Sequence, residues 1–194
     1  MCVGKGQQLK HHIITPICWH KPDHGWFKLN SDGASQGNPD KTGGGGLIRD
    51  QHRNWIKGYM RKIGVASSFI AECWALRDGL LLAVQLGIQH IVELDAITVV
   101  NLVSTNSTSN RSYPPLLNDC RYILGQFHRF KVIHTFREVN RWVDYLARAG
   151  CSLAEDFVVL DLPSNDVLCN MLSTDAAGLY SLRRTATTSP FMAS

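Results

Sequence analysis

Four acids stand where the surrounding pattern leaves least room for charge: Asp32, Glu72, Asp95 and Asp144. Asp32 interrupts FKLNSDGAS, in which Phe27 and Leu29 alternate with Lys28 and Asn30 in the period of a strand. Glu72 shares a helical face with Leu76, Gly79, Leu80 and Ala83, the face that should bury itself. Asp95 closes the strand pattern IVEL at its carboxyl end, where open sheets carry ligand sites. Asp144 lies one turn into the last helical pattern, between Val143 and Tyr145. Singly, each acid has a plain structural role as a turn residue, a partner of a helix N-terminus, an N-cap or a solvated side chain. Gathered from separate elements at one corner, they would repel one another while losing water, and would have to take up protons or bind a cation. Oxygen donors with sparse nitrogen and sulfur favour Mg²⁺ or Mn²⁺ over zinc. Two such ions can activate a water and stabilise the leaving oxygen of a phosphodiester, so the expected chemistry is hydrolysis.

The elements that must position these acids are legible in outline. FKLNSDGAS, GLIRDQ and WIKGYMRKIG read as three strands with GNPDKTGGGG and Asp50–Asn54 as turns, an antiparallel meander. Ser67 and Ser68 precede FIAECWALRDGLLLAVQLG, a helix with Leu76, Leu80, Ala83 and Val84 on one stripe and Gly87 at its end. QHIVELD predicts a short buried strand, AITVVNLVS a helix, and TNSTSNRSYPP a polar connection. LLNDCRYILGQFHRF returns to helical spacing, KVIHTFRE alternates as a last strand, and NRWVDYLARAG runs as a helix from an Asn140 cap to Gly150. The fold class is therefore mixed α/β, with a meander followed by strand–helix crossovers and helices on both faces of one sheet. Residues 1–25 read as an N-terminal extension, 26–150 as the domain, and 151–194 as a C-terminal tail ordered in part, to about residue 184.

Bulk properties narrow the partners. The 194 residues are 44% hydrophobic with a formal charge of +4, an ordinary globular composition that permits a polyanionic partner. No stretch reads as a signal peptide or membrane span, and the six scattered cysteines form no Cys-x-x-Cys, so reduced thiols in an intracellular protein, nuclear or cytoplasmic and not secreted, are expected. His11, His12, Cys18, His20 and His24 fit no familiar zinc spacing. The glycine run after Asp32 completes neither a Walker loop nor GxGxxG, because Asp40 precedes Lys41-Thr42 and Ile48-Arg49 fall where a last Gly belongs. Those glycines are expected to let the hairpin turn and a nucleic-acid backbone approach.

SDGASQGNP, GGGGLIRD, AECWALRDGL, VELDA and REVNRWVDYLAR, in this order, closely resemble type 1 ribonuclease H, and more narrowly its reverse transcriptase-like form common in plant genomes and retroelements. The resemblance spans about Trp19 to about Arg184. It implies a ribonuclease H-like fold with a five-stranded mixed sheet, a three-strand antiparallel meander plus two parallel strands, and cleavage of the RNA strand of RNA–DNA hybrids with two Mg²⁺ or Mn²⁺ ions. By motif position it makes Asp32, Glu72, Asp95 and Asp144 both the catalytic and the metal-binding residues, the Glu72 equivalent also facing the ribose 2′-hydroxyl. Asn38 matches a contact to the substrate backbone, with plain turn chemistry as its alternative, and Arg137 either partly replaces, near the scissile phosphate, a histidine that bacterial relatives carry on a longer loop or is a surface arginine. Ala96, Ile97 and Val143 depart from the family pattern, His134 reads as structural, and the basic protrusion of the bacterial enzyme has no counterpart. Arg49, Arg53, Lys57, Arg61, Lys62 and Trp55 are the remaining candidates to meet phosphates or bases, so hybrid binding should be weak and salt-dependent. The expected state is a monomer without membrane contact. A binding domain of retroelement origin with little turnover is the alternative, and a protein-interaction scaffold a third class.

Overall fold

The computed structural model describes residues 11–35, 40–92, 115–133, 136–163, 166, 168–170, 173, 178 and 180–187. In chain order the elements are β1 (His11–Ile17), β2 (Phe27–Ser35), β3 (Asp40–Arg49), β4 (Trp55–Ala66), α1 (Ser68–Gln85), β5 (His90–Val92), α2 (Pro115–Leu124), β6 (Arg129–Lys131), α3 (Arg141–Gly150), β7 (Phe157–Leu160) and β8 (Ser181–Thr187). A short 3₁₀ turn, Arg137–Val139, leads into α3. The main sheet has the order β6-β5-β2-β3-β4-β7, and β1 pairs with β8 in a separate antiparallel ribbon. The meander β2-β3-β4 is antiparallel, and β5 joins β2, and β6 joins β5, in parallel. The helix expected over AITVVNLVS lies outside the described residues.

Two expectations about strands need correction. The main sheet holds six strands rather than five, because FVVL, in the segment read as a tail, pairs antiparallel with the outer edge of β4. The strand expected over KVIHTFRE is confined to Arg129–Lys131, since only those residues find partners on β5, and REV turns as 3₁₀ instead.

The two faces carry separate cores. Leu29, Ile48 and Tyr59 of the sheet pack with Leu76, Leu80 and Ala83 of α1 and with Leu117, Cys120 and Leu124 of α2. Leu47 packs on the other face with Trp142, Val143 and Leu146 of α3 and with Leu168. Helix α1 starts where expected: Ser67 is its N-cap, accepting from the Ile70 amide at 3.4 Å, and Gly87 follows its end at φ +71°. The Asp50 turn also forms as read, with Asp50 Oδ1 accepting from the His52 and Asn54 amides at 2.8 Å each.

The glycine run is strand rather than turn. Gly43 to Gly46 lie inside β3, paired on one side to β2 and on the other to β4. A Cβ on Gly43 or Gly45 would fall 2.4 Å from backbone atoms of α3, at Cys151 and Ala147, whereas one on Gly44 would meet Ala75 of α1 at 3.2 Å. One on Gly46 would strike the Tyr59 ring. The missing side chains therefore let protein pack on both faces of one strand. Close approach by a nucleic-acid backbone is not their role, because helix already occupies the space.

Candidate functional site

Asp32 sits near the middle of β2, opposite Gly45 of β3. Directly paired residues project to one face, and the Gly45 position faces Leu146 and Ala147, so Asp32 belongs to the α3 side of the sheet. Its neighbour Gly33 faces the other side, where an added Cβ would lie 2.3 Å from the Glu72 amide. The backbone of Glu72 is thus seated on β2 directly beside Asp32. Glu72 lies in the second turn of α1, because the helix begins at Ser68. The small residues around the acids let two helices close on one strand from opposite sides. This is why both acid-bearing helices meet β2 at this position.

Asp144 ends the first turn of α3, its amide donating to the Asn140 carbonyl at 3.3 Å. Asn140 occupies the N-cap position as expected, although its side chain makes no capping bond. The Asp144 carboxylate is one-quarter exposed and held by two guanidiniums, with Oδ1 accepting from Arg137 Nη2 at 3.3 Å and Oδ2 lying 3.0 Å from Arg148 Nε. Arg137, expected beside the scissile phosphate, therefore touches one of the four acids. Arg148 was not foreseen; its signal in the sequence is its place one helical turn after Asp144. Asp95 and Asn38 lie outside the described residues, as do Ala96, Ile97 and His134. Among the described residues no three His, Cys, Asp or Glu side chains come together as a metal-holding group, and no helix is long and apolar enough to cross a membrane.

The basic residues of the meander, candidates to meet phosphates, are largely committed to the protein itself. Arg49 is 1% exposed, stacked 3.6 Å over the Trp19 ring and 5.7 Å from that of Trp142, with Nη2 donating to Asn30 Oδ1 at 3.3 Å. Asn30 Oδ1 also accepts from Trp19 Nε1 at 3.0 Å. Lys57 pairs with Asp161, and Arg61 with the buried Asp78. Trp55 lies over Gly58 and donates to the Leu160 carbonyl at 3.2 Å. Arg49 was readable as buried: it shares a strand face with Leu47, two residues away.

The buried acid that sequence reasoning passed over is Asp78. It is 3% exposed on α1, bonded to Arg61 through Nε and through Nη2 at 3.1 Å, with Arg77 Nη1 at 3.6 Å. Burial pushes its carboxyl above the ordinary range, and the two arginines pull against that rise. Arg61 also stacks on Trp74 at 4.7 Å and Phe157 at 5.0 Å. Asp78 forms an internal ion pair that joins α1 to β4.

The order of strands and the helices on both faces define a ribonuclease H fold, and solved structures agree. The N-terminal ribonuclease H domain of a Mycobacterium tuberculosis protein matches with a TM-score of 0.59 and 26% identity, over 65% of this chain and 93% of that one. Ribonuclease H1 of Halobacterium salinarum matches with a TM-score of 0.58, also at 26% identity, over 65% and 97%. A compost-derived ribonuclease H1 solved with an RNA/DNA hybrid shares the fold at 21% identity and a TM-score of 0.55, over 64% and 96%. Within that fold the chain belongs to the reverse transcriptase-like ribonuclease H family, whose pattern matches residues 30–150. A presumptive ribonuclease H protein of Arabidopsis thaliana is 32% identical over 169 residues. The chain spans 27% of that relative's length.

Proposed function

We propose that this domain hydrolyses the RNA strand of RNA–DNA hybrids, using Asp32, Glu72, Asp95 and Asp144 to hold two Mg²⁺ or Mn²⁺ ions. The observation that carries the reading is the packing of both acid-bearing helices onto β2, α1 at Gly33 and α3 across from Asp32 at Gly45. Family membership supports a ribonuclease H reading of the domain that carries these acids. Their carboxylate oxygens suit a hard divalent ion in kind. When bound, such ions would supply an activated water and charge neutralisation at the phosphodiester. The chain's own work is to hold the carboxylates and orient the hybrid. Arg148 fixes the Asp144 carboxylate from within its helix, and Arg137, with an exposed side chain, can leave Asp144 for a phosphate oxygen of the substrate. Asn38 is proposed as a further contact to the substrate backbone. The domain is proposed to act as a monomer.

The experiment is cleavage of a labelled RNA–DNA hybrid in Mg²⁺, comparing the protein with Asp32→Asn and Asp95→Asn. Metal-dependent cleavage lost in both variants is the expected result. A folded wild-type sample that binds the hybrid and leaves it intact would select the alternative, a nucleic-acid-binding domain of retroelement origin, which the commitment of Arg49, Lys57 and Arg61 to internal contacts favours. Thermal stabilisation by Mn²⁺ separates both from a pure scaffold, which has no reason to bind the ion.

A further inference from the structure

The segments that flank the family domain meet in one structure. β1 and β8 pair along their whole length, from His11 opposite Thr187 to Ile17 opposite Ser181. This ribbon is tied to the domain at two points, and both adjoin the candidate site. At one end, two residues beyond β1, Trp19 is 3% exposed and bonds Asn30, which precedes Asp32 by two positions on the same face of β2. Its ring stacks on Arg49, whose guanidinium lies between Trp19 and Trp142, the latter two residues before Asp144. On the partner strand, two residues in from the same end, Arg183 of β8 lies opposite Thr15 and sits 4.1 Å over the Phe136 ring and 3.6 Å from Glu138 Oε2. Phe136 and Glu138 are the two neighbours of Arg137.

We infer that the β1–β8 ribbon is a clasp on the candidate site, and that Arg183 is a positioning residue that sets the 3₁₀ turn presenting Arg137. Arg137 itself is largely exposed, its side chain paired with Asp144. Its backbone is set by the turn, where the Val139 and Asn140 amides donate to the Phe136 and Arg137 carbonyls at 3.0 and 3.1 Å. Arg183 grips that turn from outside by stacking on one neighbour and pairing with the other. A guanidinium meets both demands, stacking on a ring while its N–H groups reach a carboxylate in plane, and an ammonium meets them less well. The role of Arg183 rests on the proposed contact between Arg137 and substrate phosphate, whereas the clasp itself does not.

The test uses the full chain and two readouts. Hydrogen exchange on Arg183→Ala is expected to speed the Val139 and Asn140 amides about tenfold, while α1 amides keep their rates. Arg183→Lys, which keeps the charge, is expected to restore part of the protection. Unchanged exchange at the turn would overturn the clasp, whatever the domain does to nucleic acid. Hybrid affinity, read by fluorescence anisotropy at low salt in Ca²⁺, supplies the second readout. Arg183→Ala is expected to weaken binding about threefold, and to add nothing in an Arg137→Gln background, because both changes remove one contact. Additive losses would overturn the positioning role. An Arg137→Gln variant that binds normally would sink the substrate contact, and the exchange rates would still decide the clasp.

Discussion

At the scale of single residues, the chain leaves Asp144 accessible and closes Asp78 off. Asp144 remains partly solvated and shared between two exposed arginines, pairs that are weak enough for a divalent ion to displace. Asp78 is buried against Arg61, which stacks on Trp74 and Phe157, and removing Arg61 leaves the buried charge only the more distant Arg77 at 3.6 Å. Arg61→Met is therefore expected to cost about 3–5 kcal/mol at neutral pH. Its pH dependence has a definite sign. The Asp78 pKa is already raised above its ordinary 3.8 by burial, so its ionisation opposes the fold and stability is lost as pH climbs through the folded value. Without Arg61 the folded pKa climbs further, and acidification lets Asp78 take up a proton and relieves the variant. Urea denaturation at pH 7 and at about pH 4.5 checks this: the gap between variant and wild type should narrow in acid. An equal gap at both pH values would mean that the lost interaction was packing rather than charge.

Elements are held in place here by what the glycines lack. Gly45→Ala would drive a methyl into the backbone of α3 at Leu146 and Ala147, opposite Asp32. Helix α3 must move or the strand must bend, at a cost of about 3 kcal/mol. Gly125→Ala, where the nearest atom is 3.4 Å away, should be close to neutral. Chemical denaturation of the two variants makes the comparison, and equal stabilities would show that β3 and α3 are not in the contact described. The same glycines mark the limit of what the sequence reveals. The meander, the Ser67 cap, the Leu76–Leu80 stripe and the parallel addition of β5 follow from periodicity and turn chemistry, which are local. GGGG is locally indistinguishable from a turn, and only the helices on both faces, packed from far along the chain, explain it as a strand. Lys28 and Asn30 mislead in the same way: their polar side of β2 is buried, not solvated, because Trp19 and Arg49 lie across it. The sixth strand and the β1–β8 ribbon join segments far apart in sequence, so neither half signals its partner. The acids were legible because their charge contradicts the pattern around them, whereas Arg148 does nothing unusual for a helix surface.

At the scale of the whole molecule, the formal charge of +4 overstates what a nucleic acid would meet. Arg49 is enclosed by tryptophans, Lys57 and Arg61 face Asp161 and Asp78, and Lys131 reaches Asp23 at 2.7 Å. Arg77 spans α1 and α2 through Asp119 at 3.1 Å. Each of these cations joins separate parts of the chain, and at all but Arg49 a phosphate would have to compete with a carboxylate already in place. Lys62, by contrast, is exposed on the meander, and Arg137 at the edge of the site. Exposed cations such as Lys62, Arg137 and Arg141 remain for counterion release, which sets both the affinity and its response to salt. The logarithm of hybrid affinity should fall against the logarithm of salt with a slope of about −3, so that raising salt fourfold weakens binding roughly 60-fold. Lys57→Gln should leave that slope unchanged, and Arg137→Gln should flatten it by about one unit. Anisotropy titrations across a salt series measure all of these. A slope of about −6 or steeper would require the internally paired arginines to turn outward on binding, and the sheet would then have to exchange its ion pairs for phosphate contacts.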